Sequence, residues 1–382
     1  MSAKSEGGEA LARLQARLQP VLERLLDWYG PSHRKLPWRE TTDPYRIWIS
    51  EIMLQQTQVA TVIPYYHRFI ARFPTVETLA AASGEQVLKL WEGLGYYRRA
   101  RYLVKTARMV TQLGGWPRRA AELVHLPGIG KSTAGAIASF AFGDRAPILD
   151  GNVRRVWYRL GALDPDPGGH SDRLLWRVSE DAVSQHDPAL VNQALMELGA
   201  TICSHRSPAC DACPLSHECE AFRAGTPERF PPPKTKTQKK VTFDVSVGLI
   251  LDGDRFLVTR RPDDGLLGGL WELPGGKWEP GEDGAAALYR ELEEELGIRV
   301  SMEAAFPQVR HSYTHFSVRL HPFLCRLSGK ARPRTQLPIR WITRSQIPTL
   351  AFPKGTLKVF ERVWPALPMA ADAPARWDED GA

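Results

Sequence analysis

The sequence lacks the features of a membrane protein and of a disulfide-stabilised secreted protein. No apolar run approaches the roughly 18 residues that a membrane helix needs, and the N-terminal stretch MSAKSEGGEALARLQ has no apolar signal core. The chain contains 5 cysteines in 382 residues, too few for a disulfide scaffold. We therefore expect a soluble protein in the cytoplasm with no membrane partner.

The chain is long enough for two domains, each with a core of its own. Its 50 lysines and arginines exceed its 43 aspartates and glutamates, which gives a formal net charge of +7. A positive surplus of this size suits a nucleic-acid partner, although a mildly basic protein without such a partner is also ordinary. Charge alone leaves both interpretations open.

Four of the five cysteines lie close together in the chain. Cys203, Cys210, Cys213 and Cys219 have the spacing C-x6-C-x2-C-x5-C. Zinc sites usually have two tight ligand pairs, whereas only one pair is close here. Four thiolates in one short loop are typical of a 4Fe-4S cluster. The spacing favours an iron–sulfur loop over residues 203–219.

Residues 126–156 combine a Gly-x-Gly turn, a helix of small residues and an acid. Gly128 and Gly130 can bend the backbone so that successive N–H groups point at one anion, and Lys131 follows them. Asp150 stands between apolar residues and a Gly-Asn pair, where a carboxylate is poorly solvated. Three later arginines strengthen the case for phosphate binding: Arg154, Arg155 and Arg159. A Gly-x-Gly turn that grips no anion is, however, common in soluble proteins.

A second acid lies in an apolar helix. Asp43 and Pro44 predict the start of a helix that runs to about Ile63. Glu51 falls within its apolar sequence IWISEIML, which should raise the pKa of the carboxyl group and keep it protonated near neutral pH. Such a group can act as a general acid. The alternative is a glutamate on a solvated helix face.

Polar and aromatic residues follow this acid. The side-chain amide of Gln56 is suited to hydrogen bonds with the edges of DNA bases, but it is equally ordinary on a helix surface. In WEGLGYYRRARYL, Tyr96 lies beside an arginine cluster, a combination that suits an aromatic wedge entering a base stack. A tyrosine that packs at a helix start is an equally good interpretation.

After a proline- and lysine-rich stretch, alternating apolar residues predict a sheet from Val241. GKWEPGEDGAAALYRELEEELGI then fits the Nudix pattern at every defined position. Glu291, Glu294 and Glu295 would share one side of a helix, where acids near the C-terminal end oppose the helix dipole. Mg²⁺ beside a diphosphate would compensate this charge. A solvated charged face is the alternative.

Together, SEIMLQQTQV, WEGLGYYRRAR, LPGIG, ILDGNVRRV and the cysteine spacing resemble the MutY family of adenine DNA glycosylases, which act on adenine opposite 8-oxoguanine. The resemblance is dense over residues 10–225. It implies a multidomain protein, with an all-α helix-hairpin-helix domain carrying the 4Fe-4S loop over residues 1–225. A linker over 226–240, an α+β Nudix-like domain over 241–367 and a disordered tail over 368–382 would follow.

The resemblance also implies roles for individual residues. Glu51 would protonate the adenine, Asp150 would stabilise the oxocarbenium-like sugar, and Asn152 would orient Asp150. The implied binding residues are Arg39 and Gln193 at the adenine, and Gln56 and Tyr96 near the 8-oxoguanine. Gly128, Gly130, Lys131 and Ser132 would bind DNA at the hairpin. Tyr313, Thr314 and His315 match the family's Phe-Ser-His contact to the oxidised base. The implied partner is double-stranded DNA with an A:8-oxoguanine or A:G mispair, bound by a monomer with a 4Fe-4S cluster.

Two features decide between related activities. The bifunctional endonuclease III type carries a catalytic lysine at the position of Ser132, so strong lyase activity is not expected. The Nudix acids, which MutY relatives have mostly lost, remain here. The alternatives are therefore a bifunctional glycosylase/lyase, or a chain that is principally a nucleotide pyrophosphohydrolase.

Overall fold

The computed structural model describes residues 3–163, 170–232, 240–328 and 332–366. The chain forms two compact units. The helical unit comprises Met1–Ala81 and Tyr102–Lys236, and the sheet unit comprises Ala82–Arg101 and Thr237–Ala382. Residues 233–239 of the predicted linker and the whole predicted tail lie outside the described residues.

The part of the chain before the first β-strand is helical, with its last short helix ending at Arg229. In order, its helices are α1 (Ala3–Ala16), α2 (Leu18–Ser32), α3 (Pro44–Leu54), α4 (Val59–Arg72), α5 (Val76–Ala80), α6 (Gly84–Trp91), α7 (Arg98–Gln112), α8 (Ala120–Leu123), α9 (Lys131–Phe142), α10 (Gly151–Leu160), α11 (His170–Gln185), α12 (Pro188–Thr201) and α13 (Glu220–Arg223). Short 3-10 helices cover Cys210–Ala212 and Pro227–Arg229. Helix α6 belongs to the sheet unit, and α7 begins in it.

One core of the helical unit lies between α2, α10, α11 and α12. Leu22, Leu25, Trp157 and Leu195 are buried in it, at the helical spacing of the apolar residues of each helix. The thiol-bearing loop after α12 packs against the same core. The site described below is therefore built on rigid, closely packed helices.

Helix α3 ends earlier than the sequence predicts. We expected it to reach about Ile63, but it stops at Leu54 and α4 starts at Val59. Gln56 between them has a φ of 59°, in the left-handed region. Neither glutamine nor threonine is a strong helix breaker. A tertiary hydrogen bond, from Gln55 Nε2 to Thr133 Oγ1 of α9 (3.4 Å), ties this turn to a neighbouring helix.

The sheet unit contains one mixed sheet with a helix against each face. Its elements are β1 (Val241–Asp252), β2 (Arg255–Arg260), β3 (Trp271–Glu272), α14 (Gly284–Leu296), β4 (Val300–Ala305), β5 (Val309–Ser312), β6 (Phe316–Leu327), β7 (Ile339–Thr343) and α15 (Lys354–Val363), with 3-10 helices at Arg344–Thr349 and Trp364–Ala366. The strand order is β3-β2-β1-β6-β4, while β5 pairs with β6 and β7 with β2. Strands β1 and β6 are parallel and the other pairs are antiparallel.

The two faces of the sheet form separate apolar clusters. One contains Leu288, Leu292 and Leu296 of α14, and the other contains Val359 and Phe360 of α15. A helical unit followed by an α+β unit is the predicted fold class, which is thus confirmed. Within the described residues, every helix is too short or too polar to cross a membrane.

Candidate functional site

Glu51 lies on α3, whose start is defined as the sequence predicts. Asp43 caps the helix by accepting a hydrogen bond from the Tyr45 backbone N–H (2.9 Å), and Pro44 opens it. Burial and, to a lesser extent, the negative charge of Asp150 raise the pKa of Glu51 to about 7, against an opposing effect of the positive charge of Arg39. The carboxyl group can therefore carry a proton near neutral pH.

Asp150 occupies the N-cap position of α10. Its Oδ1 accepts hydrogen bonds from the backbone N–H groups of Asn152 (2.9 Å) and Val153 (2.8 Å), and its Oδ2 accepts one from Asn152 Nδ2 (3.2 Å). Burial raises the pKa of Asp150, and these hydrogen bonds oppose the rise. The structure thus brings Glu51 and Asp150, 99 residues apart in the chain, close enough for their charges to interact.

Two of the arginines after Asp150 have a different role from the one expected. Arg155 and Arg159 are 9% and 2% exposed, so they cannot form a phosphate-binding surface. Arg155 donates to the carbonyl oxygens of Cys203 (2.7 Å) and Gly199 (2.6 Å) and to Asn152 Oδ1 (2.9 Å). Both guanidinium groups donate hydrogen bonds to buried backbone carbonyl oxygens, which explains why arginines occupy these buried positions. The charge of Arg155 and Arg159 therefore does not add to the case for phosphate binding.

The glycine turn lies directly before α9. Gly128 has a φ of 77°, and a β-carbon there would lie 2.8 Å from Tyr102 Cβ, so the position requires glycine. Gly130 is the N-cap of α9 and offers no side chain to its first N–H groups. Backbone donors at a helix start without a capping side chain can bind an anion.

The two residues after this turn differ in exposure. The side chain of Lys131 is 58% exposed, and its Nζ lies 3.7 Å from the Trp176 ring centroid and 3.7 Å from Glu180 Oε1. Ser132 Oγ accepts a hydrogen bond from the Leu149 backbone N–H (3.3 Å), one residue before Asp150. Ser132 therefore links the glycine turn to the catalytic candidate.

Arg39 and Gln193 both contact Tyr29. Tyr29 donates its hydroxyl to Gln193 Oε1 (2.7 Å), and the Arg39 guanidinium lies 5.8 Å from the Tyr29 ring centroid. Arg39 Nη2 also donates to Glu197 Oε2 (2.8 Å). Sequence reasoning missed Tyr29 and Glu197. A glutamate within the apolar helix VNQALMELGA, one turn after Gln193, was the available signal.

The lesion-contact candidates are in the sheet unit, except Gln56, which is exposed in the turn after α3. Tyr96 has a φ of 49° and donates its hydroxyl to Thr314 Oγ1 (3.2 Å). Thr314 and His315 are exposed in the turn between β5 and β6. Tyr313 is half-buried, and its ring stacks on Phe316 with centroids 4.9 Å apart. The structure thus joins two motifs that are 218 residues apart.

The four loop cysteines are partly buried at the end of the helical unit. Burial, with the negative charge of the neighbouring thiolates, raises the pKa of Cys213 to about 12 and of Cys219 to about 11. Arg159 Nη1 donates to Cys203 Sγ (3.3 Å), as a cation beside a metal-bound thiolate would. Four mutually interacting thiols with a buried cation fit an iron–sulfur cluster. This fit rests on the chemistry of the four thiols and not on their geometry, because no group of three or more His, Cys, Asp or Glu residues within 3–163, 170–232, 240–328 and 332–366 is arranged to hold a metal ion.

The Nudix acids lie on α14, which Asp283 caps and Gly297 ends with a φ of 61°. Arg290 lies between them, with its Nη1 3.1 Å from both Glu291 and Glu294. Arg290 therefore supplies part of the positive charge that we expected from a bound Mg²⁺. Glu291 packs onto Gly276, where a β-carbon would lie 2.1 Å from the carboxyl carbon.

Comparison with known proteins agrees with this arrangement. Residues 49–180 match the profile of the HhH-GPD superfamily of base excision DNA repair proteins, and residues 246–362 match the NUDIX domain. The chain is 36% identical to the human adenine DNA glycosylase over 396 residues, covering 88% of this chain and 72% of that protein. It is 34% identical to the Arabidopsis thaliana protein of the same name, covering 89% and 64%. A shorter match of 203 residues to the Buchnera aphidicola (strain Bp) adenine DNA glycosylase is 47% identical, covering 52% and 58%.

Proposed function

The chain belongs to the adenine DNA glycosylase family, and from this premise we propose that it excises adenine paired with 8-oxoguanine, or with guanine, from double-stranded DNA. It acts as a monomer and without strong lyase activity. The target base must leave the stack, because its glycosidic bond cannot be reached inside a duplex. The observation that carries the proposal is the pairing of two partly buried carboxyl groups, Glu51 and Asp150, in different hydrogen-bonding environments.

Glu51 is the general acid. Its raised pKa lets it hold the proton that it donates to adenine N7, which turns the base into a leaving group. Since the protonated form is required, the rate falls as the pH rises through about 7.

Asp150 stabilises the oxocarbenium-like sugar that is left, as the second carboxylate does in glycoside hydrolysis. Its hydrogen bonds from Asn152 and Val153 favour the ionised form and fix its orientation. Arg155 in turn holds the Asn152 side chain. Asn152 is therefore a positioning residue for Asp150.

The remaining contacts divide between the two strands of the DNA. Arg39 and Gln193 hold the adenine. Gln56 and Tyr96 fill the gap near the 8-oxoguanine, and their positive φ angles are the kind of backbone strain that concentrates at functional sites. Thr314, with Tyr313 and His315, contacts the oxidised base.

The hairpin holds a phosphate through Gly128, Gly130 and Lys131. The backbone N–H groups at the start of α9 supply donors, and the exposed ammonium group of Lys131 supplies charge. Ser132 stands where a lyase would need an amine, and a hydroxyl group cannot form a Schiff base. The glycosylase therefore leaves the strand intact.

Cys203, Cys210, Cys213 and Cys219 would hold the 4Fe-4S cluster. When bound, the cluster supplies a cross-link rather than a reacting group. Arg155 and Arg159, which bind the backbone of this loop, connect it to the helix that begins after Asp150.

Replacing Glu51 by Gln tests the assignment. Glu51→Gln should reduce single-turnover adenine release from an A:8-oxoguanine duplex by ~10³-fold or more, because the proton donor is lost while the shape is kept. Duplex affinity should stay within about threefold. Glu23→Gln, an exposed carboxyl group on α2, is the matched control. Retained release by Glu51→Gln would remove Glu51 from the mechanism, and strand cleavage without added base would favour the bifunctional alternative.

A second activity, hydrolysis of nucleoside triphosphates such as 8-oxo-dGTP with Mg²⁺, is supported by the intact Nudix pattern and by the packing of Glu291 on Gly276. Glu291, Glu294 and Glu295 would bind the Mg²⁺. The full chain should release pyrophosphate, and Glu294→Gln should lose this activity while adenine release stays intact. Glu293→Gln alters the variable position of the pattern and serves as the control. Absence of pyrophosphate release by the native chain would leave the acids a structural role only.

A further inference from the structure

One buried carboxylate of the helical unit has no role in the proposed chemistry so far. Glu197 lies on α12 with a side chain that is 1% exposed. Its Oε1 accepts hydrogen bonds from the backbone N (3.1 Å) and Nε (2.7 Å) of Arg34, and its Oε2 accepts bonds from Arg34 Nη2 and Arg39 Nη2, both 2.8 Å. Its carboxylate is thus bound by two arginines.

Glu197 limits where the Arg39 guanidinium can lie. Arg39 Nη2 is held by the carboxylate, Nη1 donates to the Arg34 carbonyl oxygen (3.1 Å), and the group lies over the Tyr29 ring. A planar guanidinium with three directed contacts has little rotational freedom. Although burial alone would raise the pKa of Glu197, its hydrogen bonds from Arg34 and Arg39 hold the pKa at about 2. It is therefore a permanent negative charge.

The Glu197 carboxylate is hydrogen-bonded to Arg39, a cation whose charge influences Glu51. Asp150 and Arg39 are the charged groups whose fields reach Glu51, and Arg39 favours loss of the proton. Helix α9, which also packs against α3, contributes Lys131, whose ammonium group lies over Trp176 and beside Glu180. The effect of Arg39 on Glu51 thus depends on how far Glu197 neutralises it.

We propose that Glu197 is a positioning residue for adenine excision, which holds the Arg39 guanidinium in place and neutralises enough of its charge for Glu51 to remain protonated. The inference rests on the proposed function, since it requires Glu51 to be the general acid. It also accounts for an otherwise costly feature, a carboxylate buried with two arginines, because burying charges is seldom a gain in stability by itself.

The test is the pH profile of single-turnover adenine release by the full chain on a duplex with one A:8-oxoguanine pair. Glu197→Gln leaves Arg34 and Arg39 without their counter-charge, so Glu51 should lose its proton at lower pH. The descending alkaline limb should shift down by about one pH unit, which is a ~tenfold loss of rate near pH 8 and a much smaller loss near pH 5.5.

Two other variants test the direction of the pH shift and provide a control. Arg34→Gln removes one of the two positive charges on Glu197, so the limb should move to higher pH. Asp181→Asn changes another carboxylate of the helical unit, which accepts a hydrogen bond from Gln15 (2.5 Å), and should leave the limb in place. A purely structural role of Glu197 would not produce shifts of opposite sign.

An equal loss of rate at every pH in Glu197→Gln, with the limb unmoved, would overturn the proposal. If Glu197→Gln does not fold, the decision falls to Arg34→Gln, for which an unmoved limb overturns it as well. Glu51→Gln is measured alongside. Full activity of Glu51→Gln would show that Glu51 is not the general acid, which would overturn the proposed function. An unmoved limb in Glu197→Gln, with Glu51→Gln inactive, would overturn only the role of Glu197.

Discussion

At the scale of single residues, Asp150 combines two tasks, capping α10 and supplying a carboxylate to the proposed site. Its Oδ1 caps α10 through two backbone N–H groups, while Oδ2 accepts only the Asn152 side chain among the described contacts. The same hydrogen bonds that stabilise the helix also favour the ionised form that the proposed mechanism needs. A substitution that keeps the capping group but removes the charge should therefore separate helix stability from catalysis.

We expect Asp150→Asn to keep stability within about 0.5 kcal/mol, because asparagine is as good an N-cap as aspartate. Asp150→Ala should cost roughly 1–2 kcal/mol, since two backbone donors lose their acceptor. Both variants should lose most adenine release, because neither has a carboxylate. Urea unfolding and single-turnover kinetics measure the two effects. Equal destabilisation by both changes would contradict the capping role.

At the scale of elements, the site depends on the close approach of α10 and α12. Gly199 of α12 lies so near Asn152 that a β-carbon would be 2.6 Å from Asn152 Cβ and 3.0 Å from its carbonyl carbon. Its carbonyl oxygen also accepts the Arg155 hydrogen bond (2.6 Å). This helix crossing, rather than a loop, sets the position of Asn152.

Gly199→Ala should therefore impair both stability and chemistry. We expect a loss of roughly 1–3 kcal/mol, because the backbone of one helix must move away from the other. Adenine release should also slow, since Asn152 and Asp150 move with α10. Gly30→Ala is the matched control, because it lies in α2 with nothing within 4 Å of an added β-carbon. Unchanged kinetics in Gly199→Ala would show that the crossing tolerates the shift.

At the scale of the whole molecule, the two compact units do not follow the order of the chain. Residues 82–101 lie within the HhH-GPD match, yet they group with the sheet unit. Within that unit, Trp271 Nε1 donates to Glu85 Oε1 (2.6 Å), and Lys89 Nζ donates to the Leu350 carbonyl oxygen (2.9 Å). The Tyr96 loop is thus attached to the unit that carries Thr314.

Loss of the proposed cluster should affect one unit only, because three of its four proposed ligands, Cys203, Cys213 and Cys219, pack against the core of the helical unit. Cys213→Ala should lower the iron content and destabilise the helical unit by roughly 2–5 kcal/mol, comparable with loss of a native cross-link. Calorimetry of the full chain should show the transition of the sheet unit unchanged. Cys325→Ala, a buried cysteine of the sheet, is the control and should leave the iron content unaltered. A parallel loss in both transitions would argue against a local role of the cluster.

Much of the fold and part of the site could be predicted from short-range features. The cap at Asp43 and Pro44, the strand from Val241 and the Nudix helix all appear as expected, because each depends on residues within a few positions of one another. The helix end at Leu54 was missed, because no strong helix breaker follows it in the sequence and its contact with α9 exists only in the folded chain. The burial of Arg155 and Arg159 was missed as well, because an arginine is usually exposed unless tertiary structure supplies acceptors.

The sequence by itself determined which chemical groups are present, where each helix and strand tends to begin, and the family resemblance that the comparisons bear out. Only the tertiary structure decided which groups meet. Arg39 reaches Glu197 across 158 residues of chain, and Tyr96 reaches Thr314 across 218. Local propensities act over one or two helical turns, whereas the field at Glu51 depends on charges that packing alone brings within range.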